Sequence, residues 1–206
     1  MIIADMVKQA AEIGASGFIF ASGGPPPSTA TPSHYEAFRG FVKWLCGELK
    51  PHGITALLEP FDSTVDKCFL YGSTRSCVDL IESLRPDVTN LGIELDAAHL
   101  PLMDEPFSEA IHTVAPYLQR VHLGNCVLAD PSHPRYGDTH PPLGYPGGEI
   151  DIPEIADILR NLHDIGFMNT QDRGDILLEM TPWRDVSVEE TVTDGYRRLE
   201  EAWQVL

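Results

Sequence analysis

Apolar residues along this chain recur with two different spacings, and the two alternate from one end to the other. Ile2, Met6, Ala10 and Ile13 fall at helical spacing and Gly14 ends the run, which predicts a helix over residues 2–13. Residues 17–22 read as a short apolar strand, and Gly23-Gly-Pro-Pro-Pro27 behind it must be loop. Ser33-His-Tyr-Glu36 has the capping-box pattern. The helix behind it carries Phe38, Phe41, Val42, Leu45 and Leu49 on one face until Pro51 and Gly53 stop it. Residues 54–59 form the next strand, cut off by Pro60. A helix near 74–85, the strand 91–96, a helix near 107–118 disturbed by Pro116, and the strand 120–123 continue the series. After a Gly- and Pro-rich loop over 124–150, Asp151 caps a helix bearing Ile152, Ile155, Ile158, Leu159 and Leu162, closed by Gly166. The strand 175–179 precedes a last helix that starts at Ser187 and sets Val192, Tyr196, Leu199 and Trp203 on one face.

Strand and helix alternate throughout, with connections long enough for right-handed crossovers, so the expected class is α/β with a parallel sheet. No linker or low-complexity stretch divides the chain, and residues 1–206 are expected to form a single domain. Five strands are counted, whereas a closed barrel of this kind needs eight and roughly 250 residues.

Composition narrows the picture. The chain has 206 residues, 43% of them hydrophobic, and its apolar runs stop far short of the roughly 18 residues a membrane span needs. The first residues lack the charged start and small-residue cleavage site of a signal peptide. Cys46, Cys68, Cys77 and Cys126 make no C-x-x-C pair, which suits reduced thiols and a cytoplasmic location. The net charge of −17 sits wholly in residues 51–206, because the four acids and four bases before them cancel. Such a surface repels phosphate backbones, so no nucleic-acid partner and no membrane is expected.

The chemistry collects at the strand ends. Glu59, Asp96 and Glu179 end three strands, His122 lies in a fourth, and His99 follows Asp96 by three positions. In a barrel these ends converge on one face, where residues distant in sequence meet. One carboxylate at a strand end commonly caps the next turn; four ligand-type residues on four consecutive strands are hard to assign to capping. Oxygen-rich sets with one nitrogen suit Mn²⁺, Mg²⁺ or Co²⁺ and accept Zn²⁺. The 27-residue loop after His122 is long for a compact domain, and such loops are usually functional. Within it Asp138 and His140 alternate toward one side, placed to add ligands or to grip substrate hydroxyls.

Glu59, Asp96-x-x-His99, His122 and Glu179, with Asp138-x-His140 followed by Gly-x-x-Gly-Gly-x-Ile-Asp151, resemble the xylose isomerase-like TIM-barrel superfamily. That group holds sugar isomerases and epimerases, inosose dehydratases and apurinic-site endonucleases. Glu59-Pro-Phe-Asp62, His122-Leu-Gly-Asn125 and Tyr136-Gly-Asp-Thr-His-Pro-Pro142 look most like its sugar-phosphate isomerase/epimerase members. The resemblance implies one divalent metal, Mn first among Mg, Co and Zn, bound by Glu59, Asp96, His122 and Glu179. It implies an isomerase or epimerase of a keto-sugar or related polyol, with Glu59 and Glu179 transferring the proton through a metal-stabilised enediolate. His99 would shuttle a proton or bind hydroxyls, and His140, Asp138, Arg135, Asn125 and Lys67 would contact substrate. Other readings are a lyase or C-deglycosylase subunit acting on an oxidised sugar, a zinc apurinic endonuclease, and an inactive structural subunit. Matched to that family, the strand 17–22 is the fourth of eight and the first three βα units are missing. An open five-strand arc has unpaired edges, so a homo-oligomer or a complementary chain is expected to complete it.

Overall fold

The computed structural model describes residues 2–169, 174–184 and 186–206. The chain runs α1 (Ile2–Glu12), β1 (Gly17–Phe20), α2 (Pro32–Leu49), β2 (Thr55–Leu58), α3 (Thr74–Leu84) and β3 (Leu91–Asp96). It continues through α4 (His99–Leu102), α5 (Phe107–Val114), β4 (Leu118–Leu123), α6 (Ile152–Asp164), β5 (Asp175–Leu178) and α7 (Val188–Trp203). The five strands pair in sequence order, all parallel, and form a half-barrel.

Side-chain parity divides the sheet into two faces. Ala56, Leu58, Ile93, Leu95, Val121 and Leu123 join the main apolar cluster with buried residues of α2, α3, α5 and α6. The alternate residues of the same strands include Glu94 and Asp96 on β3 and, at their register, Arg120 and His122 on β4. One extra residue is absorbed without disturbing this. Ile93 pairs with Leu118 but Glu94 pairs with Arg120, so Gln119 is an extra residue on β4.

Several details differ from the sequence reading. The second helix starts two residues earlier than the Ser33–Glu36 pattern suggests. Thr31 is its N-cap, Pro32 supplies the pre-set first turn, and the Thr31 amide donates to His34 Nδ1 at 3.0 Å. The helix near 107–118 stops at Val114, ahead of Pro116, which frees Leu118 to start β4 early. The one-turn α4 was not expected. Glu59 and Glu179 lie just past their strands, yet each amide extends the ladder, donating to Phe20 O at 2.9 Å and Leu123 O at 3.2 Å.

The outer helices show the largest departure. Of the expected stripe only Ala10 is buried, together with Val7; Ile2, Met6 and Ile13 are 78%, 48% and 81% exposed. Likewise α7 buries Thr191, Gly195 and Ala202 and leaves Tyr196 and Trp203 exposed. These helices flank β1 and β5, which each have one strand neighbour among the described residues. Ala10 and Leu199 still pack inward, and the rest of each stripe faces outward with no unit covering it among the described residues.

Leu45→Ala, which empties a fully buried position, is expected to cost about 3 kcal/mol in urea unfolding. Ile13→Ser should change the stability of the isolated chain by less than about 0.5 kcal/mol.

Candidate metal centre

Four strand ends bring their polar groups to one place, with Asp96 in the middle. Its carboxylate is fully buried; Oδ1 accepts from the Ala98 amide at 2.8 Å, which caps the turn into α4. Oδ2 is left facing His140 Nε2 at 3.5 Å and His99 Nε2 at 3.8 Å. Burial pushes the Asp96 carboxyl up against the pull of the two rings. Gly124 permits this approach, since a Cβ there would lie 2.8 Å from His140 Nδ1 and 2.9 Å from Asp96 Oδ1.

His99 is buried at the start of α4, against the Phe61 ring at 4.1 Å between centroids. Its Nδ1 lies 2.9 Å from Pro60 O, and since a carbonyl only accepts, Nδ1 carries the proton. Nε2 faces Asp138 Oδ1 at 3.4 Å, while Glu59 Oε1 is 3.6 Å from Nδ1. His140 adopts a left-handed backbone, φ 47°, and brings Nε2 to 2.6 Å from the same Asp138 oxygen. Burial works against both charged rings, but Asp138 and Asp96 outweigh it and lift each to about 9. Asp138, although buried, is held far below the usual carboxylate range by His140 and His99.

His122 Nδ1 comes within 2.6 Å of Glu179 Oε2. The Glu179 carboxyl is half exposed, and His122 beside it holds its titration below the ordinary value. Glu59 is more enclosed, and burial, with Asp96 and Glu179 adding to it, drives it up to about 7 against His99 and His122.

Among the described residues, two groups have ligand atoms mutually within 4.8 Å: Asp96, His122 and Glu179, and Asp96, His99 and His140. The first contains three of the four expected ligands; Glu59 stands outside it, next to His99. Whether these atoms fit a cation is decided by what else satisfies them. Among the described residues eight buried side-chain atoms lack a hydrogen-bond partner. Six of them are here: both Glu94 oxygens, Asp96 Oδ2, His99 Nε2, His122 Nδ1 and Asp138 Oδ1. Two of the six still have an ion-pair partner at 2.6 Å, His122 Nδ1 with Glu179 and Asp138 Oδ1 with His140. The Glu94 oxygens, Asp96 Oδ2 and His99 Nε2 have no oppositely charged atom closer than 3.4 Å among the described residues. Buried polar atoms are normally paired, so these four fit a cation site.

The expected substrate contacts are placed differently. Asn125 is fully buried and ties the long loop together, accepting from Ile150 N and donating to Pro142 O. Arg135 donates to Thr139 O and Pro182 O and lies over the Trp183 ring, bracing Asp138 and His140 from behind. The Lys67 ammonium binds Asp66 and Asp138, so it fixes the second Asp138 oxygen and does not project into open space. All three have side-chain groups that hold the loops around the centre.

In the sequence Asp62 appears only as the end of the Glu59-Pro-Phe-Asp62 motif, with no role assigned to it or to Glu94. Asp62 is buried and accepts from the amides of Thr64, Val65, Asp66 and Lys67 at 2.6 to 3.1 Å. That turn carries Asp66 and Lys67 to the long loop, where Asp66 accepts from the Asp138 amide at 2.9 Å. Gly137, φ +87°, is needed beside it because a Cβ would meet the Asp66 carboxylate at 2.8 Å. The signal for Asp62 was local: an Asp followed by Ser-Thr is a turn former. For Glu94 it was parity with Asp96, two positions on.

A parallel half-barrel with acids and imidazoles at its strand ends defines a TIM-barrel protein with a cation-type donor set. The chain belongs to the xylose isomerase-like TIM barrel family, whose profile it matches over residues 2–201. No curated protein matches the sequence. In fold it is similar to a D-tagatose 3-epimerase-like protein, with a TM-score of 0.75 at 18% identity over 98% of this chain and 67% of that one. A D-psicose 3-epimerase from Clostridium cellulolyticum H10 gives 0.68 at 18% over 100% and 69%. The 3-keto-D-glucoside 4-epimerase from E. coli gives 0.67 at 14% over 98% and 69%. The chain thus spans about two thirds of the length of these proteins.

The four amide bonds to Asp62 hold its carboxyl below the ordinary value even though burial opposes them. A lowered carboxylate adds stability above its unfolded pKa of about 3.9 and loses it as the pH falls further. Asp62→Ala should therefore cost about 3 kcal/mol at pH 7. The gap between wild type and variant should narrow below about pH 4, as read by chemical unfolding across pH.

Proposed function

We propose that this chain is a divalent-metal-dependent isomerase or epimerase acting on a keto-sugar or related polyol. The observation that carries the reading is the pair Glu59 and Glu179. They sit at the ends of β2 and β5, on either side of Asp96 and His122, beside a cluster of unpaired ligand atoms. Family membership and the epimerases named among its structural relatives support the same class. The oxygen-rich donor set favours Mn²⁺.

A divalent ion held by Glu59, Asp96, His122 and Glu179 would polarise a sugar carbonyl and its neighbouring hydroxyl and so acidify the C–H between them. Glu59 and Glu179 then divide the proton transfer: one removes the proton from its face of the carbon, the other returns one from the opposite face. Return to the opposite face inverts the centre, and return to the adjacent carbon isomerises the sugar. His99, oriented by the Pro60 carbonyl, and His140, held by Asp138, hydrogen-bond the substrate hydroxyls. Phe61 lies against the His99 ring and keeps water from that side.

A second reading has one observation in its favour. Asp96, His99 and His140, with Asp138 beside them, form another donor group, which would suit the multi-zinc site of a nuclease. The net charge of −17 opposes it, because a DNA-gripping enzyme needs basic loops.

Metal analysis together with a panel of ketoses and oxidised glycosides, assayed with added Mn²⁺, tests the proposal. One divalent ion per chain and turnover of a ketose are expected. Three zinc ions would favour the nuclease, and elimination products from an oxidised glycoside would favour a lyase. Neither metal nor turnover would leave a structural subunit. Glu179→Gln should lower turnover by about 10²-fold or more with the circular-dichroism spectrum unchanged; full activity in that variant would remove the two-carboxylate mechanism.

We also propose that the working assembly covers the open edges of β1 and β5 and the outward apolar faces of α1 and α7 with complementary βα units. Exposed edges of this kind favour association. Light scattering at micromolar concentration should show a mass above 22.7 kDa; a stable, well-folded monomer would contradict this.

A further inference from the structure

We propose that Glu94 belongs to the cation centre as an acidic floor group, one outside the four ligands that the family resemblance implies. The inference rests on the reading that this centre binds a divalent cation. Glu94 precedes Asp96 by two residues on β3 and so points to the same face. It is 0% exposed, and neither carboxyl oxygen has a hydrogen-bond partner. Oε1 lies 3.5 Å from His122 Nδ1, the same nitrogen that approaches Glu179.

The neighbouring charges do not explain it. Arg120 is its register partner on β4, but that guanidinium turns to Asp175 at 2.7 Å. Among the described residues, the only basic group within 4.0 Å of the Glu94 carboxyl is His122. An apolar side chain would suit an enclosed strand position without any of this penalty, since a buried acid without a partner is strongly unfavourable. The position makes physical sense when the missing partner is a cation bound just above, between Asp96, His122 and Glu179. Glu94 then supplies compensating negative charge to that ion from outside its ligand set.

The test uses the full chain and Mn²⁺ alone. Calorimetric titration of wild type, Glu94→Gln and Glu94→Met should show binding at least about tenfold weaker in both variants, with circular dichroism confirming the fold. Thermal melts supply a further readout. Without metal, Glu94→Met should melt above the wild type, because an unpaired buried carboxyl is gone; saturating Mn²⁺ should cancel or reverse that advantage. Wild-type Mn²⁺ affinity in both variants, with the same melting advantage in the presence and absence of the ion, overturns the role of Glu94 and leaves the cation centre standing. A wild-type chain that binds no Mn²⁺ overturns both.

Discussion

The structure depends on how one buried carboxylate is shared. Asp96 commits one oxygen to the backbone of the turn behind it and keeps the other for its surroundings. Asp96 is common to both groups of ligand atoms, so His99 and His140 on one side and His122 and Glu179 on the other are organised about the same carboxylate. A buried charge without compensation is costly, and the chain meets this with the imidazoles of His99 and His140. The helix-covered face of the sheet can then be wholly apolar, because the polar burden lies on the other face.

The loops serve this arrangement more than they serve substrate. Asp62 folds the segment after β2, which carries Lys67 and Asp66 to Asp138, and Asp138 in turn orients the two histidines. Arg135 and Trp183 close the back of the same loop. The side chains around the centre therefore have their directions decided before anything binds there, and preorganisation of that kind is where enzymes in general gain much of their rate.

Much of this was legible in the residues. Alternating periods revealed the five strands and most helices, and strand-end placement revealed Glu59, Asp96, His122 and Glu179 as neighbours. The rest was hidden for identifiable reasons. Periodicity shows that α1 and α7 have apolar stripes but carries no information on whether anything covers them. Lys67, Arg135 and Asn125 were visible as polar residues near the centre, yet only coordinates reveal that their hydrogen-bonding groups are already engaged. Glu94 was overlooked because a lone acid in an apolar strand looks like an exception, although its spacing from Asp96 placed it on the same face.

The additional residue in β4 has an evolutionary implication. Leu118 and His122, four apart, would share a face in an uninterrupted strand; because a bulge absorbs Gln119, Leu118 joins the apolar layer while His122 lies beside Asp96 on the other face. Losing one residue from the middle of β3 would exchange Leu95 for Asp96 and turn the carboxylate into the oily side. Losing Gln119 would keep both flanks of β4 in phase. Among the strands that bear the centre, length drift is therefore tolerated at this one site, and relatives that differ in strand length should accommodate the change there.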